Sequence, residues 1–512
     1  MGEGRLRTQV VGMSAPPDSP LVRQWGAYRR RPRRRPPRWL WWLLGAAALG
    51  GVGIAIWSAV RPHPWRPPSG SPRFSSCVSA DGAAAWCARV AVPEDPRRPH
   101  GRTISLRVLV LPATARPAVG ALFYLEGGPA VAATDSAARV NEVFAEVGRD
   151  RDLVLVDQRG TGGSNELACT AGRVRVRDAS LVRAYLRRCF ARIGGEARLY
   201  TTSVAADDLD AVRRALGYGR IDLYGVSYGA TLAQVYLRRH PASVRSVVLD
   251  GGSLLGVRVF DDSARDGERA LDDDFARCAG APACARAFPD PRRELDELLA
   301  RPPRRVTVET GAVTLRSGDI AWTVNALSQS TDGAATIPFV VHEAVRGDYL
   351  PLARDFAAEV GSGLDSRSRL ATFWVILCSE PWAGFDPATT AREGRGSYLA
   401  AAAVARARFF REACGAVPKG RVGPDEASPG VTRAPVLLLA GSADPLDPPS
   451  AVRGWRRAFP NGELVVVPNG AHGSMGDTCV QRVVARFFAA GRAKGLDTAC
   501  VGRIAPTPFV TG

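Results

Sequence analysis

From residue 77 onward the chain alternates short apolar runs with turns rich in Pro, Gly and Asp. Residues 88–92, 104–111 and 121–125 read as strands, and 152–156, 221–224, 246–250, 435–440 and 463–467 continue the series. Helical spacing falls between them, at 133–147, 180–192, 204–216 and 231–240. In the third of these, Ala205, Leu209, Val212 and Leu216 share one face. Helices at 449–459 and 480–490 follow the last two strands in turn. The alternation predicts an α/β fold, a mostly parallel sheet flanked by helices on both faces. It breaks after Leu255. From 256 to 430 the pattern turns helical, charged and Pro-interrupted, as at 293–300, 337–345 and 391–414. We read 256–430 as an inserted, largely helical lid that divides a core into 73–255 and 431–512.

The text ahead of that core is different. Residues 1–38 form a basic leader, with eight arginines and no acidic residue between Arg23 and Arg38. Residues 39–60 carry no charge. At about 1.5 Å per residue, that length crosses a hydrocarbon core. Trp39, Trp41, Trp42 and Trp57 lie near its ends, where indoles favour the interface. The segment therefore reads as a single-pass transmembrane anchor in a lipid bilayer. The arginines keep the N-terminus cytoplasmic and leave the bulk of the chain extracellular. A cleaved signal peptide and a secreted product form the alternative. Residues 61–72 are a Pro-rich spacer. The formal net charge is +18, but much of the excess sits in the leader. No basic helix with interleaved aromatics follows, which argues against a nucleic-acid partner.

Ten cysteines agree with export to an oxidising compartment. They fall in couples along the chain: Cys77 and Cys87, Cys169 and Cys189, Cys278 and Cys284, Cys378 and Cys414, Cys479 and Cys500. Pairing of these neighbours is the expected framework, although spacing alone does not fix connectivity. None has the Cys-x-x-Cys spacing of a metal site.

The chemistry gathers around Gly225-Val-Ser-Tyr-Gly229, between an apolar strand and a helix. This is the pattern of the nucleophile elbow of an α/β-hydrolase, and the competing reading is a serine in a plain Gly-rich turn. The two glycines fit a turn too tight for side chains, and Ser227 is set at a helix N-terminus. A serine hydroxyl needs a base to take its proton and an acid to orient that base. Along this fold the order is Ser, then acid, then His. Of five histidines, His63 lies in the spacer, His100 in an early turn, His240 at the end of a helix and His342 in the lid. His472 remains, in a loop after the last strand. Asp444 follows the preceding strand and is the expected acid; Asp447, otherwise a helix cap, is the alternative. Backbone N–H groups must meet the oxyanion. Tyr228 supplies one, and Gly127 or Gly128, after the third strand, the other.

Taken together, Gly127-Gly-Pro, Asp157-Gln-Arg-Gly-x-Gly-x-Ser164, Tyr200-Thr-Thr, Asp208-Leu-Asp, Val248-Leu-Asp-Gly251, Gly441-Ser-Ala-Asp-Pro, Ala471-His-Gly and the elbow resemble the prolyl iminopeptidase and tripeptidyl aminopeptidase family of α/β-hydrolases. The likeness runs from about Cys77 to Cys500. It implies an exported serine aminopeptidase that acts on peptides with a free N-terminus, needs no cofactor or metal, and uses Ser227, Asp444 and His472 as its triad. It also implies an acidic group near the lid for the substrate amine. Glu380 is the first candidate and Glu126 the second, with a surface acid or structural pair as the competing reading of each. Ala130 departs from the family's usual Gly-Gly-Pro-Gly turn, which matters if that position needs positive φ. The same machinery would serve a carboxylesterase or lipase, and a non-catalytic binding module is a third possibility.

Overall fold

A computed structural model describes residues 71–512 except 116, 170–177, 194 and 363–370. Eleven strands are present among these residues: β1 (Ser75–Val78), β2 (Ala84–Pro93), β3 (Thr103–Leu111), β4 (Gly120–Leu125), β5 (Arg151–Val156), β6 (Ile221–Val226), β7 (Val244–Asp250), β8 (Arg304–Val308), β9 (Gly311–Leu315), β10 (Val436–Gly441) and β11 (Glu463–Val467). Nine form one sheet in the order β1-β2-β3-β5-β4-β6-β7-β10-β11. The pairs from β5 through β4, β6, β7 and β10 to β11 are all parallel, while β1, β2 and β3 join antiparallel. The expected α/β architecture is therefore present.

Strand side chains alternate between two apolar layers, as a period of two requires. Leu106, Phe123, Leu223 and Leu438 face helices Thr202–Ala215 and Tyr228–Arg239. Leu109, Leu122, Val248 and Leu437 face helices Ala137–Val143 and Thr478–Ala490. Each such buried Leu or Val contributes roughly 1.5–3 kcal/mol. The strands crossing the middle of the sheet are apolar on both faces because both are covered.

Between β7 and β10 the chain leaves the sheet. Helices Val259–Gly280, Ser317–Leu327, Thr331–Arg346 and Leu350–Ser362 enclose an apolar cluster that includes Leu271, Val324, Ile337 and Leu352. The β8–β9 hairpin packs on it, a strand pair that the helical reading of this segment missed. A further cluster joins Trp374, Ile376 and Phe410 to Tyr228 and Ala130 of the core. Expected long helices break where glycines turn the backbone. The 449–459 stretch splits at Gly454 (φ +84°), and 391–414 splits around Gly396 (φ +81°). The 133–147 stretch opens as a 3-10 turn, and its α-helix covers Ala137–Val143.

All five neighbouring cysteine couples are disulfide-bonded. The leader, the anchor at 39–60 and nearly all of the spacer lie outside the described residues. Among the described residues no helix is long and apolar enough to cross a membrane.

The segment after residue 504 runs back over the helices between β7 and β10. Val510 N–H donates to Ala335 O at 3.0 Å, and Arg277 Nη1 donates to Thr507 O at 3.0 Å. The Arg277 guanidinium also sits 4.0 Å from the Phe509 ring centre. Together these contacts are worth about 2 kcal/mol. Ending the chain after Ile504 should therefore speed proteolytic cleavage of helices Val259–Gly280 and Thr331–Arg346 about tenfold while sparing the sheet. Unchanged cleavage of those helices would show that the strap holds nothing.

Candidate active site

Strand β6 runs into Ser227, whose φ of 55° and ψ of −126° lie outside the regions open to ordinary residues. The surroundings hold it there. A Cβ on Gly225 would lie 2.3 Å from Gly229 O, and one on Gly229 would lie 2.1 Å from Leu125 O. Both elbow glycines are thus required by close backbone approach. Ser227 N–H donates to Asp250 O at 2.9 Å, which locks the elbow to the end of β7.

Asp250 reaches in a second direction. Its carboxylate accepts from Ser474 N–H at 2.9–3.0 Å and from the Tyr224 hydroxyl. The loop bearing His472 is therefore tied to the same strand end as Ser227. Gly251 (φ +53°) passes the acid–base pair so closely that a Cβ would lie 3.4 Å from His472 Nδ1 and 3.5 Å from Asp444 Oδ2. A Cβ on the next residue, Gly252, would lie 3.5 Å from Ser227 O. The Ser227 backbone oxygen, His472 Nδ1 and Asp444 Oδ2 thus all lie close to one short stretch at the C-terminal end of β7, while among the described residues no hydrogen bond joins Ser227 Oγ to His472.

His472 Nδ1 lies 2.9 Å from Asp444 Oδ2. Asp444 is fully buried, and its Oδ1 accepts from Leu446 N–H at 2.8 Å and Asp447 N–H at 3.0 Å. Asp447 is the poorer partner, at 3.8 Å from Nδ1, and its Oδ1 accepts from Ser253 N–H at 2.8 Å. Burial raises the Asp444 pKa, but the charge and hydrogen bond of His472 outweigh it and hold the carboxyl below its ordinary range. Burial pushes Asp447 up to about 6 against the pull of His472. For His472 burial works downward, yet Asp444, with Asp447 and Asp250 behind it, lifts the imidazole to about 9.

Tyr228 opens helix Tyr228–Arg239, so no preceding turn supplies an acceptor for its N–H. Gly127 lies against the serine, where a Cβ would be 3.1 Å from Ser227 Cβ. Its N–H, however, donates to Glu126 Oε1 at 2.8 Å, so the expectation that Gly127 offers its amide to an oxyanion is corrected. Gly128 follows, with φ +124°. Ala130 does adopt positive φ, +71°, a left-handed conformation that costs an alanine roughly 1–2 kcal/mol.

Both carboxylates expected to hold a substrate ammonium are occupied by the protein's own donors, which corrects that reading. Glu126 Oε2 accepts from Ser136 Oγ at 2.7 Å and Tyr124 Oη at 3.0 Å, so this residue braces the turn after β4. Glu380 is buried. Its Oε1 accepts from Thr202 N–H at 2.8 Å, and its Oε2 from Thr202 Oγ1 at 2.7 Å and Trp382 Nε1 at 2.8 Å. Glu426 accepts in the same way from Ser203 N–H at 3.1 Å. The two acids cap helix Thr202–Ala215, where first-turn amides have no helical acceptor. Burial, then the neighbouring Glu426, raises Glu380 to about 8. Two other histidines are engaged elsewhere: His240 pairs with Asp207 and His342 with Glu294, both at 2.9 Å.

Residues 120–306 match the family described as alpha/beta hydrolase fold, and residues 401–500 match the one described as TAP-like protein. In these two stretches the chain is similar to α/β hydrolases, in keeping with its fold. It is 33% identical over 198 residues to the tripeptidyl aminopeptidase of Streptomyces lividans, covering 33% of this chain and 37% of that protein. It is 30% identical over 237 residues to serine protease Hip1 of Mycobacterium tuberculosis, covering 41% and 45%. A proline iminopeptidase of Neisseria gonorrhoeae is 27% identical over 132 residues, covering 25% and 32%. The matched stretches thus span less than half of each relative.

The capping role of Glu380 has a measurable consequence. Glu380→Ala strands two N–H donors and a hydroxyl in a buried site and should cost about 2–4 kcal/mol, read as a lower denaturation midpoint. Because folding raises the Glu380 pKa from 4.5 to about 8, the folded state holds the extra proton. Stability from this group therefore falls as pH rises through that window. Glu380→Gln should flatten that slope and leave the KM for free-amine substrates unchanged. A large KM increase in Glu380→Gln would restore the amine-binding role.

Proposed function

We propose that this hydrolase is an exported, membrane-anchored serine peptidase that releases short N-terminal pieces from peptides through an acyl-enzyme. The hydrogen bond between His472 and Asp444, formed where the Ser227 elbow and the His472 loop share Asp250, is the observation that carries this reading. Ser227 Oγ attacks the scissile carbonyl while His472 takes its proton. Asp444 holds the imidazole by Nδ1 and stabilises the imidazolium. The tetrahedral oxyanion is met by Tyr228 N–H, with Gly128 as the second donor; loss of one such donor costs about a hundredfold to a thousandfold in kcat. His472 then returns the proton to the leaving amine, and water resolves the acyl-enzyme by the same route. Tyr228, the residue after Ser227, packs in an aromatic group with ring centres 5.9 Å apart for Tyr228 and Trp382 and 6.3 Å apart for Phe260 and Trp382. Five disulfides support an oxidising compartment, and residues 39–60 provide the anchor. Relatives named as aminopeptidases and a serine protease support the substrate class.

An esterase is the second reading. The occupied state of Glu380 and Glu126 favours it, because neither is left to recognise a free amine. A panel of chromogenic aminoacyl and tripeptidyl amides, their N-acetylated forms and short-chain esters separates the two. The peptidase reading predicts turnover of free-amine amides, with kcat lowered about 10⁴-fold or more by Ser227→Ala. Hydrolysis of esters alone would select the esterase, and no turnover of either class would sink both.

The base works only when neutral. Since Asp444 holds the imidazolium, rates should rise with pH through the raised His472 pKa, about 9, rather than level off near the usual histidine value. A kcat/KM profile already flat above pH 7 would contradict this environment for His472.

A further inference from the structure

The two loops that carry Asp444 and His472 are each held from outside the sheet. Arg269 lies on helix Val259–Gly280, in the insertion between β7 and β10. Its Nη2 donates to Asp444 O at 2.6 Å, and its Nη1 donates to Ser442 O. One guanidinium thus chelates two carbonyls of a single turn, one of them belonging to the acid itself. The His472 N–H donates to Gln329 O at 3.2 Å, in the turn between helices Ser317–Leu327 and Thr331–Arg346. The loops are also joined to each other: Ala443 N–H donates to Gly470 O at 2.9 Å, and Asn469 N–H to Ser442 Oγ at 2.9 Å.

We propose that Arg269 is a positioning residue, a clamp through which the inserted helices set the Gly441–Asp444 turn and thereby the contact between Asp444 and His472. The proposal deepens the serine-hydrolase reading and rests on it. Two charge-assisted bonds to backbone oxygens fix a loop more rigidly than packing does, since Arg presents its donors in a planar fork. A lysine offers a single point of contact at the same place. The clamp makes the insertion part of the acid–base machinery rather than only a cover. Other groups near His472 are the carboxylates of Asp444, Asp447 and Asp250. Arg269 also pairs with Asp273 at 3.0 Å on the exposed side of its helix, a contact that can be removed separately.

The test compares wild type, Arg269→Ala, Arg269→Lys and Asp273→Ala in the full chain, after Ser227→Ala has established that turnover belongs to this site. Arg269→Ala should lower kcat about tenfold to a hundredfold with KM within about twofold, as a small misplacement of a reacting group does. The acid limb of the kcat profile should move to lower pH, because a loosened Asp444 no longer holds the imidazolium. Arg269→Lys should recover part of both effects, and Asp273→Ala should change neither. Wild-type kcat and an unmoved acid limb in Arg269→Ala would overturn the clamp. So would an Asp273→Ala variant that reproduces the whole loss. If the wild-type chain hydrolyses nothing, the hydrolase reading falls. The clamp is then judged by the downfield proton resonance of the His472–Asp444 hydrogen bond, which Arg269→Ala must shift or broaden. An unaltered resonance overturns it.

Discussion

The site depends on one buried aspartate at the end of β7. Asp250 receives the Ser227 N–H on its backbone oxygen and the Ser474 N–H on its side chain. A carboxylate with no exposure is costly unless its oxygens are satisfied, and here Tyr224 and Ser474 satisfy them. The same residue therefore fixes two loops that are far apart in sequence. The Gly251–Gly252 pair behind it leaves room for the acid–base pair on one side and the serine on the other. Asp444 and His472 meet in that space, each reinforcing the charged form of the other.

Around this junction, the parts that look accessory are bonded to the centre. Glu380 and Glu426 from the insertion cap the helix that begins at Thr202. Thr202 Oγ1 in turn lies 2.7 Å from the hydroxyl of Tyr228, the residue after Ser227. Arg269 and Gln329 bond to the loops that carry Asp444 and His472. The insertion thus reaches Thr202, the Asp444 turn and the His472 loop through separate polar contacts.

Much of this was legible in the sequence, for local reasons. The buried strands are continuous apolar runs, the elbow needs glycine at two close contacts, and Asp444 and His472, which follow their strands, pair with each other. The cysteines bond to their sequence neighbours, as their couples suggested, although spacing alone had left the connectivity open. What escaped depends on contacts between distant segments. A glutamate such as Glu380 looks like a ligand for an amine until Thr202, 178 residues away, is found donating to it. Glu126 looked free for a substrate, yet it turns back onto Gly127 and Ser136. Asp250 stood in the Val248-Leu-Asp-Gly251 motif at the end of an apolar strand, but its contacts to Ser227 and Ser474 could not be read from it. Arg269 is one arginine among many in a charged helix. The helix breaks at Gly454 and Gly396 were missed because helical spacing continues across them.

The central claim is that Ser227, His472 and Asp444 act as one unit at this strand end. A crystal structure of the full chain after reaction with a fluorophosphonate tests it most directly. The account predicts phosphorus bonded to Ser227 Oγ, a phosphonyl oxygen within hydrogen-bond distance of Tyr228 N–H, and His472 between the adduct and Asp444. An adduct on another residue, or an imidazole turned away from both Ser227 and Asp444, would contradict it.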